Sequence, residues 1–119
     1  MLTLPPAVQL YVATQPVDVR KSFSGLSLYV QQVLQMSPLS GHLFVFFNRR
    51  CDQVRLLFWD RSGYVVWAKR LERGRFVLPD SLLGQDGPAC IEAAELSLIL
   101  EGFSLRGLTR RPRWIARRL

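Results

Sequence analysis

The sequence from Gly41 to Pro79, GHLFVFFNRRCDQVRLLFWDRSGYVVWAKRLERGRFVLP, contains three short apolar runs separated by polar breaks. The runs are HLFVFF, VRLLFW and YVVWAK, and they are rich in Val, Phe, Trp and Tyr. Runs of this length and composition, bounded by turn residues, are typical of buried or half-buried β-strands. The stretch therefore predicts a meander of antiparallel strands whose connecting loops carry arginines.

The polar breaks predict two hairpin loops. Asn48–Asp52 is the first loop, and Asp60–Gly63 is a tighter one in which Gly63 is placed to take a positive φ angle. A register that pairs Trp59 with Val65 divides the side chains between two faces, and a one-residue slip would reverse the division. The predicted core face holds Leu56, Phe58, Tyr64, Val66 and Ala68. The predicted opposite face mixes aromatic and basic side chains: Arg55, Leu57, Trp59, Val65, Trp67 and Lys69.

Further strands and two helices are also predicted. Val8–Thr14 and Arg75–Leu78 are strand candidates, and Asp80–Pro88 has the composition of a linker. Two sets of apolar residues have helical spacing, the first after an N-cap at Ser22. These sets are Phe23, Leu26, Val30, Val33 and Leu34, and Leu96, Ile99, Leu100 and Phe103.

Together these elements predict an α+β fold. Its antiparallel meander has four to five strands, with one packed helix and a C-terminal helix followed by a basic tail. The expected organisation is one domain over residues 1–105 and an arginine-rich tail over residues 106–119.

The charge of the chain is large for its size and unevenly distributed. The 119 residues have a net charge of +7, and 14 of the 16 basic residues are arginine. Residues 1–80 contain ten basic and five acidic residues, residues 81–105 contain four acidic and no basic residues, and residues 106–119 contain six arginines and no acid. This separation indicates charged partners rather than a uniformly solvated surface. A GC-rich genome would also explain the excess of arginine over lysine.

Basic loops and aromatic strand residues are the candidates for contacting nucleic acid. The chain leaving the third strand is expected to return to the end of the sheet where Arg49 and Arg50 lie, so the basic loops are predicted to form one patch. Arginine suits phosphate oxygens, and tryptophan stacks on bases. The candidate residues are Arg20, Lys21, Arg49, Arg50, Arg55, Trp59, Trp67, Lys69, Arg70, Arg73, Arg75, Arg110, Arg111 and Arg113. Two alternatives stay open: the tryptophans pack in the core or at a dimer interface, and the loop arginines are simply solvated.

No combination of residues predicts a catalytic, metal or cofactor site. His42 is the single histidine, and Cys51 and Cys90 lack a CxxC partner, which is typical of a reduced, cytoplasmic protein. Asp52 and Asp60 lie at opposite ends of one predicted strand, which argues against a shared metal site, and only a site that the fold assembles from Asp18 and Asp60 stays open. No apolar stretch is long enough to span a membrane. We therefore expect no enzyme, cofactor, metal or membrane partner.

Four stretches of the sequence are similar, in order and content, to one bacterial family. They are PVDVRKSFSGL (residues 16–26), GHLFVF followed by NRR (residues 41–50), LLFWD followed by Gly63 (residues 56–63), and KRLERGRF (residues 69–76). With Leu100–Gly102 before the basic tail, the similarity covers nearly the whole chain. The chain resembles the small accessory protein, encoded by the second reading frame and often called TnpB, of insertion-sequence family 66.

The resemblance implies a role in DNA transposition beside a separate, larger transposase that carries the nuclease chemistry. It supplies no catalytic residues, and the RNA-guided nucleases that share the name TnpB are a different class with carboxylate triads. The positions that match the family's motifs are Asp18, Arg20, Lys21, Arg49, Arg50, Trp59, Asp60, Lys69, Arg70, Arg73 and Arg75.

The favoured function is a non-enzymatic accessory factor in transposition that binds DNA through basic loops. The expected partners are transposon-end DNA, the cognate transposase and a further copy of the chain. Two alternatives stay open: a protein–protein adaptor that docks its acidic helix and aromatic face onto the transposase, and a small RNA-binding regulator.

Overall fold

The fold is a five-stranded mixed sheet with helices on both faces, seen in a computed structural model that describes residues 8–82 and 85–102. The strands lie in the order β4-β3-β2-β1-β5. The elements are β1 (Leu10–Val12), α1 (Phe23–Gln32), β2 (Leu43–Phe47), β3 (Gln53–Asp60), β4 (Gly63–Arg70), β5 (Ala89–Ile91) and α2 (Ala93–Glu101), with a short 3-10 helix at Asp80–Leu82. The predicted α+β class is confirmed.

The prediction of a purely antiparallel sheet is wrong, because β1 and β2 are parallel. The chain between them, residues 13–42, contains α1, and a long crossover of this kind is what a parallel pair of strands requires. The other strand pairs, β2–β3, β3–β4 and β1–β5, are antiparallel.

The strand predicted at Arg75–Leu78 is also wrong, because this segment forms a loop. The fifth strand is β5, directly after the segment that was predicted to be a linker. β5 has only three residues, which is too short for a recognisable alternation of apolar and polar residues. The second helix, α2, begins with a capping box between Glu92 and Glu95 and ends at Gly102, whose φ of 89° suits glycine. Phe103 and the basic tail lie outside the described residues.

The core depends on β2, whose five residues are all buried. Phe44 and Phe46 face α1, where they pack with Leu26, Val30 and Leu57. The alternate β2 residues face α2, and their cluster includes Leu43, Val45, Phe47, Val54, Leu56, Leu96, Ile99 and Leu100. Because each face of β2 meets a helix-bearing layer, the strand is continuously apolar.

α1 buries fewer of the residues on its predicted apolar face than their helical spacing indicates. Leu26 and Val30 are fully buried, whereas Phe23 is 49% exposed and Val33 is 57% exposed. Ser22 occupies the N-cap position but forms no side-chain capping hydrogen bond.

The predicted register of the second hairpin is wrong by one residue. Trp59 pairs with Tyr64, and Asp60 pairs with Gly63, which leaves a two-residue loop. The positive φ angle belongs to Arg61 (55°) rather than to Gly63. A one-residue slip changes the face of every side chain on one strand relative to the other. Trp59 and Trp67 therefore lie on opposite faces of the sheet.

Replacing one buried and one exposed phenylalanine by alanine tests this core. Phe46 is fully buried, and its ring packs edge-on against the ring of Tyr29 with centroids 5.9 Å apart. We expect Phe46→Ala to lower the free energy of unfolding by about 3–5 kcal/mol, since it removes buried area and leaves a cavity. The matched Phe23→Ala change should stay within about 0.5 kcal/mol. Denaturant unfolding followed by tryptophan fluorescence measures both, and equal losses would contradict the burial of β2.

Candidate nucleic-acid interface

The loop between β2 and β3 is shaped by the side chain of Asn48. Its Oδ1 accepts hydrogen bonds from the backbone N–H groups of Asp52 and Gln53, both at 3.0 Å. Its Nδ2 donates to Asp52 Oδ1 at 2.7 Å. Asparagine commonly organises turns through such side-chain bonds to nearby backbone. Arg49 and Arg50 consequently project at the tip of an ordered loop, and both are exposed.

A second loop, after β4, docks onto this first loop. The backbone N–H of Leu71 donates to Asp52 O at 2.8 Å, and the N–H of Phe76 donates to Cys51 O at 2.7 Å. Both side chains are buried, and the ring of Phe76 packs against Phe47 with centroids 5.6 Å apart. The two anchors hold the intervening residues against the β2–β3 loop.

The docked loop places its own arginines beside Arg49 and Arg50. Arg73 and Arg75 lie between the two buried anchors and are exposed, and Gly74 between them has a φ of 77°. The chain after β4 thus returns to the end of the sheet where Arg49 and Arg50 lie, as predicted. We call this end of the sheet the arginine end. Its basic residues are Arg20, Lys21, Arg49, Arg50, Arg70, Arg73 and Arg75.

A cleft of about 640 Å³ opens at the arginine end. One wall is the segment after β1, which continues along β2 through a hydrogen bond from Val17 N–H to Phe47 O at 3.0 Å. The other wall is the β2–β3 loop. The residues that line the cleft are Pro16, Val17, Asp18, Val19, Arg20, Asn48, Arg49, Arg50 and Gln53.

Within the cleft, Asp18 holds the guanidinium of Arg20. Arg20 Nε donates to Asp18 Oδ1 at 3.0 Å and its Nη2 donates to Oδ2 at 3.1 Å. The backbone N–H of Arg20 also donates to Oδ1, at 3.0 Å. The side-chain bond from Arg20, followed by the backbone bond, lowers the pKa of Asp18 from 3.8 to about 2. Arg20 is therefore a paired cation in this structure.

The other arginines of this end have fewer partners. Arg50 Nε lies 3.9 Å from Asp52 Oδ2, in an ion pair whose arginine side chain is 82% exposed. Such a contact is weak because solvent screens it. Among the described residues, Arg49, Arg70, Arg73 and Arg75 form no ion pair. Their guanidinium groups are available to an external anion.

Comparison with known proteins places the chain in a family. The family model described as IS66 Orf2 like protein matches residues 8–110. The chain belongs to this family. It is also 37% identical over 105 residues to "Uncharacterized protein y4jC" of Sinorhizobium fredii (strain NBRC 101917 / NGR234), covering 88% of this chain and 87% of the relative. "Uncharacterized protein y4hO" from the same strain is 39% identical over 99 residues, covering 83% of this chain and 84% of the relative. No solved structure matches the chain.

The family resemblance inferred from the sequence is thereby confirmed, but the structure separates several residues that were predicted to act together. Trp67 packs into the α2-side core, whereas Trp59 lies on the α1 side and contacts Tyr64 with ring centroids 5.1 Å apart. Arg55 is half-buried within β3. Lys69 donates from Nζ to Leu100 O at 2.9 Å, at the C-terminal end of α2. Arg110, Arg111 and Arg113 lie outside the described residues.

Three residues that shape the arginine end were not predicted from sequence. Asn48 was assigned only to a loop, and Leu71 and Phe76 were treated as parts of a basic run and a strand. The spacing of two large apolar residues around three charged residues and a glycine, LERGRF, is the signal that would have indicated an anchored loop. The family's matching segments include both anchors.

The described residues contain no group of three or more His, Cys, Asp or Glu side chains that could hold a metal ion. Among the same residues, no helix is long and apolar enough to cross a membrane. The family is that of an accessory reading frame and not of a known enzyme.

Titration of Asp18 tests the geometry of the cleft. Because its folded pKa is lowered, the pair contributes stability above pH 3.8, and that contribution is lost as pH falls through about 2. We expect carbon NMR of the Asp18 carboxyl group to show a midpoint near 2. Arg20→Gln should move the midpoint back towards 3.8, whereas Lys21→Gln should barely move it, since Lys21 is the weakest contributor. A midpoint near 3.8 in the unaltered chain would show that the Arg20 pair does not form.

Proposed function

We propose that this chain is a non-enzymatic accessory factor in the transposition of an IS66-type insertion sequence, and that it binds duplex DNA through the arginine end. The family supports the transposition context. The observation that carries the DNA-binding part is the docked loop, in which Leu71 and Phe76 bond to Asp52 and Cys51. This docking gathers arginines from the β2–β3 hairpin loop and from the loop after β4 on one side of the molecule.

The geometry of these arginines suits a phosphate backbone. Arg49, Arg50, Arg73 and Arg75 are exposed in loops, so a rod-like polyanion can reach several of them at once. Each guanidinium presents a planar fork of donors that fits phosphate oxygens. Phosphate contacts of this kind supply affinity that depends on salt and not on base sequence.

The arginines do not contribute equally in this proposal. Arg20 is already bound in a bidentate pair by Asp18, so a phosphate must compete with a carboxylate for it. Arg49 has no such competitor among the described residues. Arg49, Arg73 and Arg75, with the weakly paired Arg50, are therefore the expected phosphate contacts, and Asp18 limits the part that Arg20 plays.

The C-terminus of α2 lies near the arginine end. The hydrogen bond from Lys69 to Leu100 O holds the C-terminus of α2 beside the last residues of β4. The described chain thus ends at Gly102 close to the arginine end, and the next segment in sequence, residues 106–119, contains six arginines. The position of Gly102 allows this segment to reach the same polyanion.

Duplex DNA fits the surface better than single-stranded RNA does. Stacking on unpaired bases needs aromatic side chains that face the same way. Trp59 and Trp67 lie on opposite faces, and Trp67 packs into the core. The shared aromatic platform that motivated the RNA alternative is therefore absent from the described residues.

The salt dependence of DNA binding tests the proposal. We expect the affinity for a transposon-end duplex to fall steeply with salt, with a log–log slope of roughly −0.9 for each phosphate contact. Arg49→Ala combined with Arg50→Ala should reduce the magnitude of that slope by about 2. Arg61→Ala is the matched control, because Arg61 is exposed at the opposite end of β3.

Three outcomes of this titration would count against the proposal. They are no binding at low salt, an equal loss in the Arg61→Ala control, and a slope that the double variant leaves unchanged. Incubating the same protein and duplex with Mg²⁺ or Mn²⁺ checks the non-enzymatic part. Nicks that disappear in Asp18→Asn would contradict it.

The adaptor alternative is supported by a different surface. Leu28 and Leu39 are 48% and 56% exposed on α1 and the connection after it, and Phe23 and Val33 are similarly exposed. Exposed large apolar side chains can mark a protein interface. The acidic helix α2, by contrast, uses Glu95 in its own capping box.

If the adaptor function holds, Leu28→Ser combined with Leu39→Ser should weaken capture of the purified cognate transposase at least several-fold while DNA binding is unchanged. Arg49→Ala with Arg50→Ala, tested without DNA, is the control and should leave capture intact. Equal capture by all three proteins would remove this region from consideration as the docking surface.

A further inference from the structure

The longest open edge of the sheet is β4. Its eight residues, Gly63–Arg70, pair with β3 on one side only, while the other edge strand, β5, has three residues. Asp60 and Gly63 flank the two-residue loop, and they form the first hydrogen-bonded pair of the ladder. Alternation along an antiparallel ladder then directs the backbone groups of every second residue outward. These outward residues are Tyr64, Val66, Ala68 and Arg70.

Among the described residues, nothing gives this edge the usual protection along its central part. The outward backbone groups form no hydrogen bond to any described residue. Tyr64–Ala68 contains no proline and no charge, and its pairing with β3 runs without a bulge. Soluble proteins commonly protect long edge strands with such features, because an open edge is a template for another strand. The side chains of Tyr64, Val65, Val66 and Trp67 are only half-buried.

We propose that β4 pairs antiparallel with β4 of a second copy of this chain, about a two-fold axis at Val66. This register places Tyr64 opposite the partner's Ala68, and Val65 opposite the partner's Trp67. A large residue then meets a small one, and a β-branched residue meets an aromatic one, which are favourable cross-strand neighbours. The outward groups of Val66 bond to those of the partner's Val66.

The charges of β4 select the same register. With the axis at Val66, Lys69 lies opposite the partner's Gly63, and Arg70 lies opposite the partner's Ser62. Moving the axis to Ala68 would shorten the paired segment and bring the two cationic strand ends together, which is unfavourable. A second copy therefore complements the edge in shape and in charge, and the two sheets become one sheet of ten strands.

The dimer would present two arginine ends that point in opposite directions. In the proposed register, Arg70 and the partner's Arg70 are eight strand positions apart, which corresponds to about 27 Å. Self-pairing of β4 does not depend on DNA binding, so it is tested without nucleic acid.

The test is the molar mass of the full chain in solution, measured by light scattering and sedimentation equilibrium across a concentration series at high salt. We expect twice the mass of one chain at micromolar concentrations. Val66→Pro should yield a monomer with unchanged circular dichroism, because its N–H points away from β3 and edge strands tolerate proline at such positions. Ala68→Lys should also dissociate the dimer, since Ala68 is exposed and the change adds charge to the edge.

Leu28→Lys is the matched control, because it adds the same charge at an exposed position on α1. It should leave the dimer intact. A monomer at all concentrations would overturn the proposal. A dimer that survives both β4 variants, or one that Leu28→Lys dissociates, would place the interface elsewhere and overturn it equally. If Val66→Pro loses its circular dichroism signal, the result for Ala68→Lys alone decides whether β4 forms the dimer interface.

Discussion

The burial of β2 on both faces is the constraint on which the rest of this structure depends. A strand with five apolar residues and water on either side would be unstable, so each face must be covered by a separate layer. α1 covers one face after crossing over from β1, and this crossover makes β1 parallel to β2. α2 and the loop after β4 cover the other face. The mixed sheet is thus the consequence of protecting one strand.

The same covering layer positions the charged residues. Leu71 and Phe76 belong to the core on the α2 side, and burying them draws the segment between them onto the β2–β3 loop. The backbone hydrogen bonds to Asp52 and Cys51 satisfy polar groups that would otherwise face the apolar interior. Arg73 and Arg75 remain in solvent because only their neighbours are anchored. In this loop, the residues that pack in the core are therefore close in sequence to the arginines that stay exposed.

The molecule separates its surfaces by position on the sheet. The strand ends at one side carry the arginines, the edge at β4 offers unpaired backbone groups, and the outer surface of α1 carries exposed apolar side chains. In our proposals, DNA, a second copy and a protein partner would therefore bind at three different places. An accessory factor that assembles with other components benefits from this separation, because occupying one surface leaves the others open.

The sequence by itself determined the local features of this protein. Apolar runs identified β2, β3 and β4, the spacing of Leu26 and Val30 identified α1, and the ordered motifs identified the family. Only the tertiary structure decided how these pieces combine. The parallel pairing of β1 depends on contacts distant in sequence. The placement of Trp59 and Trp67 on opposite faces depends on a one-residue difference in the register of β3 and β4, which the near-continuous apolar runs of these strands do not encode. The return of the chain to the arginine end was expected from the order of the strands, but the docking of the loop was not. Backbone atoms of residues 71 and 76 meet those of residues 51 and 52, and a hydrogen bond between backbone groups has no sequence signature.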